Sequence, residues 1–155
     1  STLHLLRHAE AQWQAPGPGG DHARRLSARG IVQARGVGEH LRGAGIELVL
    51  ASSATRTMQT AEALGLGVPI WSSDAIYNAG AMSILEELMT VPSGCGSLLV
   101  VGHAPGIPAL AHALADGSSD AEARALRHGD GASTVGHLAA LDDVVGQVVV
   151  WASAV

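Results

Sequence analysis

Short apolar runs that stop abruptly at polar residues constrain this chain more than any other feature. Leu3-His4-Leu5-Leu6 runs into Arg7-His8, and Leu98-Leu99-Val100-Val101 runs into Gly102-His103. A third stretch, Glu47 to Ala51, ends in Ser52-Ser53. Runs of this length read as buried strands. The segments between them carry helical signals. Ser27 is placed to cap a helix reaching about Arg42, with Ile31, Ala34, Val37 and Leu41 on one face and Gly43 and Gly45 stopping it. Further helices are expected over about 54–64 and 107–114, and Ser83-Ile84-Leu85-Glu86 has capping-box spacing for one reaching about Met89. Residues 14–22 read as a Gly/Pro loop, Val68 to Trp71 as a short extended piece, and residues 116–131 as a helical excursion with loops. Thr134 to Leu138 and Gln147 to Trp151 read as a closing antiparallel pair, with Asp142-Asp143 in the turn region. The order implies an α/β three-layer sandwich: a mostly parallel central sheet with an antiparallel edge and helices on both faces.

Composition bounds what such a sandwich can do. The chain has 155 residues, which fits one domain over 1–155, and 47% of them are hydrophobic. Phe is absent, so the core must be built from Ala, Val, Leu and Ile. A net charge of -5 and a pI near 5.8 argue against a nucleic-acid or anionic-membrane binder. Cys95 is the single cysteine and reads as an incidental thiol in a turn, so no internal disulfide is expected. No apolar run reaches the ~18 residues of a membrane helix, and a cytoplasmic location is expected. His4, His22, His40, His112, His128 and His137 are scattered and read as structural or exposed. With no close His-x-x-x-His or cysteine pair, no metal site and no cofactor are expected.

Open α/β sheets place their sites beyond the C-terminal ends of the strands. The three strand ends carry Arg7-His8, Ser52-Ser53 leading to Arg56, and Gly102-His103. These residue types suit phosphoryl transfer. Arginine forks match the equatorial oxygens of a phosphoryl group. A neutral histidine can attack phosphorus through one nitrogen while an acceptor holds the other. Flanking arginines would bind the anion and stabilise the transition state.

Leu6-Arg7-His8-Ala9-Glu10 resembles the Arg-His-Gly/Ala-Glu signature of the histidine phosphatase (phosphoglycerate mutase-like) superfamily. The stretch from Ala51 to Ala61 is similar to its second motif, with the arginine on Arg56, and Val101-Gly102-His103-Ala104-Pro105 to its third. Asp21-His22-Ala23-Arg24-Arg25-Leu26-Ser27-Ala28-Arg29-Gly30 is similar to the Asp-x-x-Arg-x-Leu-Ser/Thr-x-x-Gly pattern of the small SixA-type phosphohistidine phosphatases. The chain length also suits that branch. The resemblance implies His8 as nucleophile, Arg7 and Arg56 as phosphate ligands, and His103 as a further donor. It also implies Arg24 at the entrance, a phosphate contact from the Ala104 backbone N–H, and chemistry that needs no metal. Gln14 stands where larger members often carry a phosphate-touching Asn. Glu10 reads as a structural partner for an arginine.

The proton donor divides the substrate classes. An alkyl phosphate expels an alkoxide and needs a general acid. Larger members supply a Glu or Asp after the third strand, whereas Ser73-Asp74-Ala75-Ile76-Tyr77-Asn78-Ala79 shows no glutamate there. Phosphohistidine releases imidazole, with a pKa of about 6.5, and tolerates a missing acid. The favoured expectation is therefore a phosphatase acting on a phosphohistidine protein. The alternatives are a small-molecule phosphomonoesterase of the same fold, with Asp21 or Asp74 as acid, and a non-catalytic phosphate-binding regulatory domain.

Overall fold

The computed structural model describes residues 2–116 and the segments 124–128, 131–136 and 147–153, with side-chain surroundings described from residue 2 to 113. The order is β1 (Thr2–Arg7), a 3-10 turn (Gly20–Ala23), α1 (Ala28–Leu41), β2 (Leu48–Ser52), α2 (Thr55–Ala63), β3 (Ile70–Ser73), a second 3-10 turn (Asp74–Ile76), α3 (Ala81–Leu88), β4 (Ser97–Gly102), α4 (Gly106–Asp116), β5 (Arg124–His128), β6 (Gly131–Gly136) and β7 (Gln147–Ser153). The strands lie in the order β3-β2-β4-β1-β7-β6-β5. Strands β3, β2, β4 and β1 are parallel neighbours, and β7 runs parallel to β1 on its other side. β6 runs antiparallel to both β7 and β5.

The apolar runs form strands because both sheet faces are covered. Side chains alternate across a strand, and the two faces fill two separate cores. Leu3, Leu5, Leu48, Leu50, Leu98 and Val100 meet Ile84 and Leu88 of α3 and Ile107 and Leu110 of α4. Leu6, Val49, Ala51, Leu99 and Val101 meet Leu41 of α1, Ala61 of α2 and Leu64 just after it. This is the helix-on-both-faces sandwich that the sequence implies.

Close approaches to α1 lock the segment that follows β1. Ser27 caps α1 by accepting from the Gly30 N–H at 3.0 Å. The Ser27 N–H donates to the Glu10 carbonyl at 3.0 Å, so the cap residue also pins the chain just beyond β1. A Cβ on Gly30 would sit 2.0 Å from that same Glu10 oxygen. A Cβ on Gly38 would sit 2.0 Å from the Leu64 carbonyl oxygen at the end of α2.

Two expectations are corrected. The helix near residue 83 starts earlier, at Ala81 behind an extended Gly80, so Ser83 lies inside it and makes no cap. The earlier start places Ile84 and Leu88 one turn apart in the core, with Ala81 and Leu85 packed at its edge. Burial of that stripe outweighs the local capping pattern. Within 116–131, residues Arg124–His128 form a strand rather than a helical excursion. No β-branched or aromatic residue marks Arg-Ala-Leu-Arg-His as a strand; pairing with β6 supplies the hydrogen bonds. Asp142-Asp143 lies outside the described residues.

Two glycines of α1 test the packing. Gly38→Ala should lower stability by about 2–3 kcal/mol, because the backbone of α2 cannot yield easily. Gly36 has open space around its would-be Cβ, so Gly36→Ala should be neutral or gain about 0.5–1 kcal/mol. Urea unfolding of both variants checks this, and equal effects would refute the close helix contact.

Candidate active site

The strand ends do converge. Arg7 at the end of β1 is in register with Gly102 at the end of β4. The His8 N–H continues the ladder by donating to the Gly102 carbonyl at 2.9 Å. Gly102 is required here, because a Cβ would lie 2.8 Å from Ile107. Arg56 lies in the first turn of α2, directly beyond the end of β2. Together these residues line a cleft of about 460 Å³, with Arg7, His8, Arg24, Arg56, His103 and Ala104 in its wall.

His8 is buried, 9% exposed, and both ring nitrogens are assigned by their partners. Nδ1 lies 2.6 Å from the Ala9 carbonyl oxygen, which accepts only, so Nδ1 carries the proton. Nε2 is then a lone pair, and the Arg56 Nε–H donates to it at 3.3 Å. Burial, working against the Ala9 carbonyl and helped by Arg56, Arg7 and Arg24, pushes the His8 pKa down to about 4. The imidazole is therefore neutral at ordinary pH, with its lone pair on Nε2. Ala9 is itself held in place: its N–H donates to Thr60 Oγ1 at 3.1 Å, and Thr60 donates to the Arg56 carbonyl at 2.7 Å.

His103 is also neutral. Burial first, then Arg56 and His8, push its pKa down to about 3. Its Nε2 lies 2.8 Å from Ser52 Oγ, and its ring meets His8 edge-on at a centroid distance of 5.3 Å. The buried Arg7 Nε and His103 Nδ1 have no hydrogen-bond partner among the described residues. Such unsatisfied polar atoms at a cleft wall suit a ligand rich in acceptor oxygens. Four guanidiniums line the cleft, from Arg7, Arg24, Arg29 and Arg56, with Glu10 as the carboxylate in the same wall. Glu10 faces Arg29 at 3.6 Å, as an arginine partner should.

Asp21 stands at the centre of the arginine network. Its Oδ1 pairs with Arg24 Nη1 at 2.9 Å and its Oδ2 with Arg56 Nη2 at 3.0 Å. Its backbone carbonyl accepts from Arg56 Nη1 at 2.8 Å, and Tyr77 donates its hydroxyl to Oδ2 at 2.6 Å. The Tyr77 hydroxyl, then Arg24 and Arg56, hold the Asp21 carboxyl well below the usual carboxylate range. The same bond raises the Tyr77 pKa. Asp21 is thus a committed anion and an acceptor, and this geometry corrects the expectation that it serves as an acid. Asp74 is exposed at the start of the second 3-10 turn and Gln14 is exposed in the loop after β1; neither belongs to the cleft wall. Arg24 and Ala104 both line the cleft wall.

Several neighbours are not legible in the sequence. Tyr77 is the single tyrosine and sits on the turn after β3, yet only tertiary structure brings it to Asp21. Asn78 lines the cleft with a left-handed backbone, φ 52. Trp13 lies on the rim, 91% exposed. His22, read as structural or exposed, lies 2.9 Å from Ser53 Oγ and stacks edge-on against Tyr77. Among the described residues no three His, Cys, Asp or Glu side chains gather as a metal set, and no helix is long and apolar enough to cross a membrane.

Comparison with known proteins agrees with this geometry. The histidine phosphatase superfamily (branch 1) matches residues 3–78. Rv1276c, an uncharacterised protein of Mycobacterium tuberculosis (strain H37Rv), is 38% identical over 112 residues, spanning 71% of this chain and 70% of the relative. A structure from Nakamurella multipartitia, assigned to the phosphohistidine phosphatases SixA, superposes with a TM-score of 0.75 at 34% identity, covering 94% of this chain and 91% of that one. Another structure so assigned, from Agrobacterium tumefaciens, gives a TM-score of 0.68 at 28% identity, covering 88% and 94%. The chain belongs to the histidine phosphatase superfamily, in its SixA-type branch.

The depressed histidine pKa values carry a stability consequence. The folded protein resists protonating His8 until about pH 4 and His103 until about pH 3, and buried His4 is lowered too. Unfolded histidines take a proton at about pH 6.5. Between those limits the unfolded state binds more protons, so stability must fall as pH falls through the window. Urea unfolding should show a loss on the order of 5 kcal/mol between pH 7 and pH 4.5, roughly half from each of His8 and His103, because a tenfold difference in proton affinity is worth about 1.4 kcal/mol. A flat profile over that range would contradict the buried, neutral histidines.

Proposed function

We propose that this protein is a metal-independent phosphatase that takes a phosphoryl group onto His8 and uses phosphohistidine on a protein as its substrate. The observation that carries the reading is the fixed tautomer of His8: Nδ1–H on the Ala9 carbonyl, Nε2 as a lone pair in an arginine-lined cleft. Nε2 gives up the hydrogen bond it accepts from the Arg56 Nε–H in the ligand-free site and attacks phosphorus in line; the new N–P bond forms, and the substrate's P–N bond breaks. A phosphohistidine protonated on its distal nitrogen leaves as neutral imidazole and needs no acid. Phospho-His8 keeps its Nδ1 proton on the Ala9 carbonyl, which stabilises the cationic ring. Water then attacks phosphorus, its proton goes to the departing phosphate, and His8 returns to its starting tautomer. Arg7, Arg56, the Ala104 N–H and His103 bind the equatorial oxygens, and the guanidiniums neutralise the charge a metal would otherwise meet.

The acid-free substrate class is supported by the state of the carboxylates. Asp21 is fully engaged by Arg24, Arg56 and Tyr77, and Glu10 faces Arg29. Neither is placed as a spare proton donor for an alkoxide.

With chelator present, a phosphohistidine protein should be turned over at least about 10²-fold faster than any alkyl phosphate, as expected when the acid is missing. His8→Ala should lower that turnover by at least about 10³-fold. Efficient alkyl turnover would transfer the reading to a small phosphate ester as substrate. Activity that disappears with chelator and returns with zinc or magnesium would overturn the metal-free mechanism. Phosphate binding without turnover of either class would leave a regulatory phosphate-binding domain.

A further inference from the structure

Arg56 is held from three sides before any ligand arrives. A guanidinium has five N–H donors in a rigid fork. Three are engaged: Nε–H on His8 Nε2 at 3.3 Å, one Nη1–H on the Asp21 backbone carbonyl at 2.8 Å, and one Nη2–H on Asp21 Oδ2 at 3.0 Å. Among the described residues, one N–H on each terminal nitrogen remains for a phosphoryl group. Arg56 itself is only 5% exposed, but the Asp21 side chain that holds it is 44% exposed. An ion pair with so wet a carboxylate is ordinarily weak and loose.

Arg24 holds Asp21 Oδ1 at 2.9 Å, and Tyr77 secures the oxygen that Arg56 uses. The Tyr77 hydroxyl makes the shortest bond of the network, 2.6 Å to that Oδ2. The phenol ring is fixed in turn. It lies edge-on to His103 at 5.6 Å and to His22 at 4.9 Å, and His22 is tied to Ser53 at 2.9 Å. The Tyr77 N–H donates to the Asp74 carbonyl at 3.2 Å, closing the turn after β3. Tyr77 thus joins that turn to the loop after β1 across 56 residues of sequence.

We propose that Tyr77 and Asp21 form a clamp that positions Arg56, so that its two free N–H groups face the phosphoryl group held at His8. Both are positioning residues that act through Arg56. The proposal rests on the phosphatase reading above but not on the class of substrate. Tyr77→Phe is the cleanest probe, because it removes one hydroxyl and no charge.

The test combines three readouts on the full chain: the order of the Arg56 Nε–H by NMR without ligand, the affinity for inorganic phosphate by calorimetry, and kcat/KM. In the wild type the Arg56 Nε–H should be ordered and slow to exchange. In Tyr77→Phe it should lose that order, and phosphate affinity and kcat/KM should each fall about tenfold, with the thermal midpoint little changed. Asp21→Asn should weaken phosphate at least as much, although it removes a negative charge beside the site. In an Arg56→Lys background, which has no fork to clamp, Tyr77→Phe should cost less than about twofold. Tighter phosphate binding in Asp21→Asn would show that Asp21 competes with the ligand rather than positioning Arg56, and would overturn the proposal. So would an unchanged Arg56 Nε–H in Tyr77→Phe, or the full Tyr77→Phe loss persisting in Arg56→Lys. If the Arg56 signal responds as expected while no phosphohistidine is turned over, the clamp stands and the substrate reading falls.

Discussion

The contact between His8 Nδ1 and the Ala9 carbonyl is the constraint on which the rest of the site depends. A free imidazole exchanges its proton between two nitrogens, and a nucleophile needs one of them unprotonated. A backbone carbonyl one residue away accepts but cannot donate, so it assigns the tautomer once and for all. That carbonyl is useful only if the backbone around it does not move. The His8 N–H is tied to β4, the Ala9 N–H to Thr60 of α2, and the Glu10 carbonyl to the cap of α1. Gly30 lets α1 come that close. The sheet and two helices therefore converge on three successive residues, and the tautomer of His8 is a property of the whole fold.

The electrostatics follow from the same burial. A neutral His8 and a neutral His103 stand among arginines, because burial and like charge both oppose their protonation. The cationic charge of the cleft is thus concentrated on guanidiniums. Asp21 balances part of that charge from the side while using both carboxylate oxygens and its carbonyl to hold Arg24 and Arg56. The arrangement separates two tasks: the histidines keep lone pairs and neutral rings, and the arginines supply the positive field.

Much of this is legible in the sequence, for a physical reason. Strands β1, β2 and β4 are covered on both faces, so they have to be apolar throughout, and their ends show as sudden polar residues. Arg7, His8, Arg56 and His103 stand out because polar residues at the ends of such strands have no structural excuse. Gln14 and Asp74 are candidates on position alone, and the turns carrying them leave both outside the cleft wall. Asp21 does lie near the chemistry, yet its role as acceptor depends on Tyr77, 56 residues away. No local pattern encodes that pair. The start of α3 and the strand β5 escape a sequence reading because burial and strand pairing override local propensity.

In the proposed reaction Nε2 of His8, and no other atom, receives the phosphoryl group. Acid-free quenching of the enzyme with a slowly turned-over phosphohistidine substrate, followed by mass spectrometry and ³¹P NMR of the trapped species, tests it directly. A single phosphoryl group is expected, on His8 and on its Nε2. A phosphoryl group on Nδ1, on His103 or on any other side chain would contradict it.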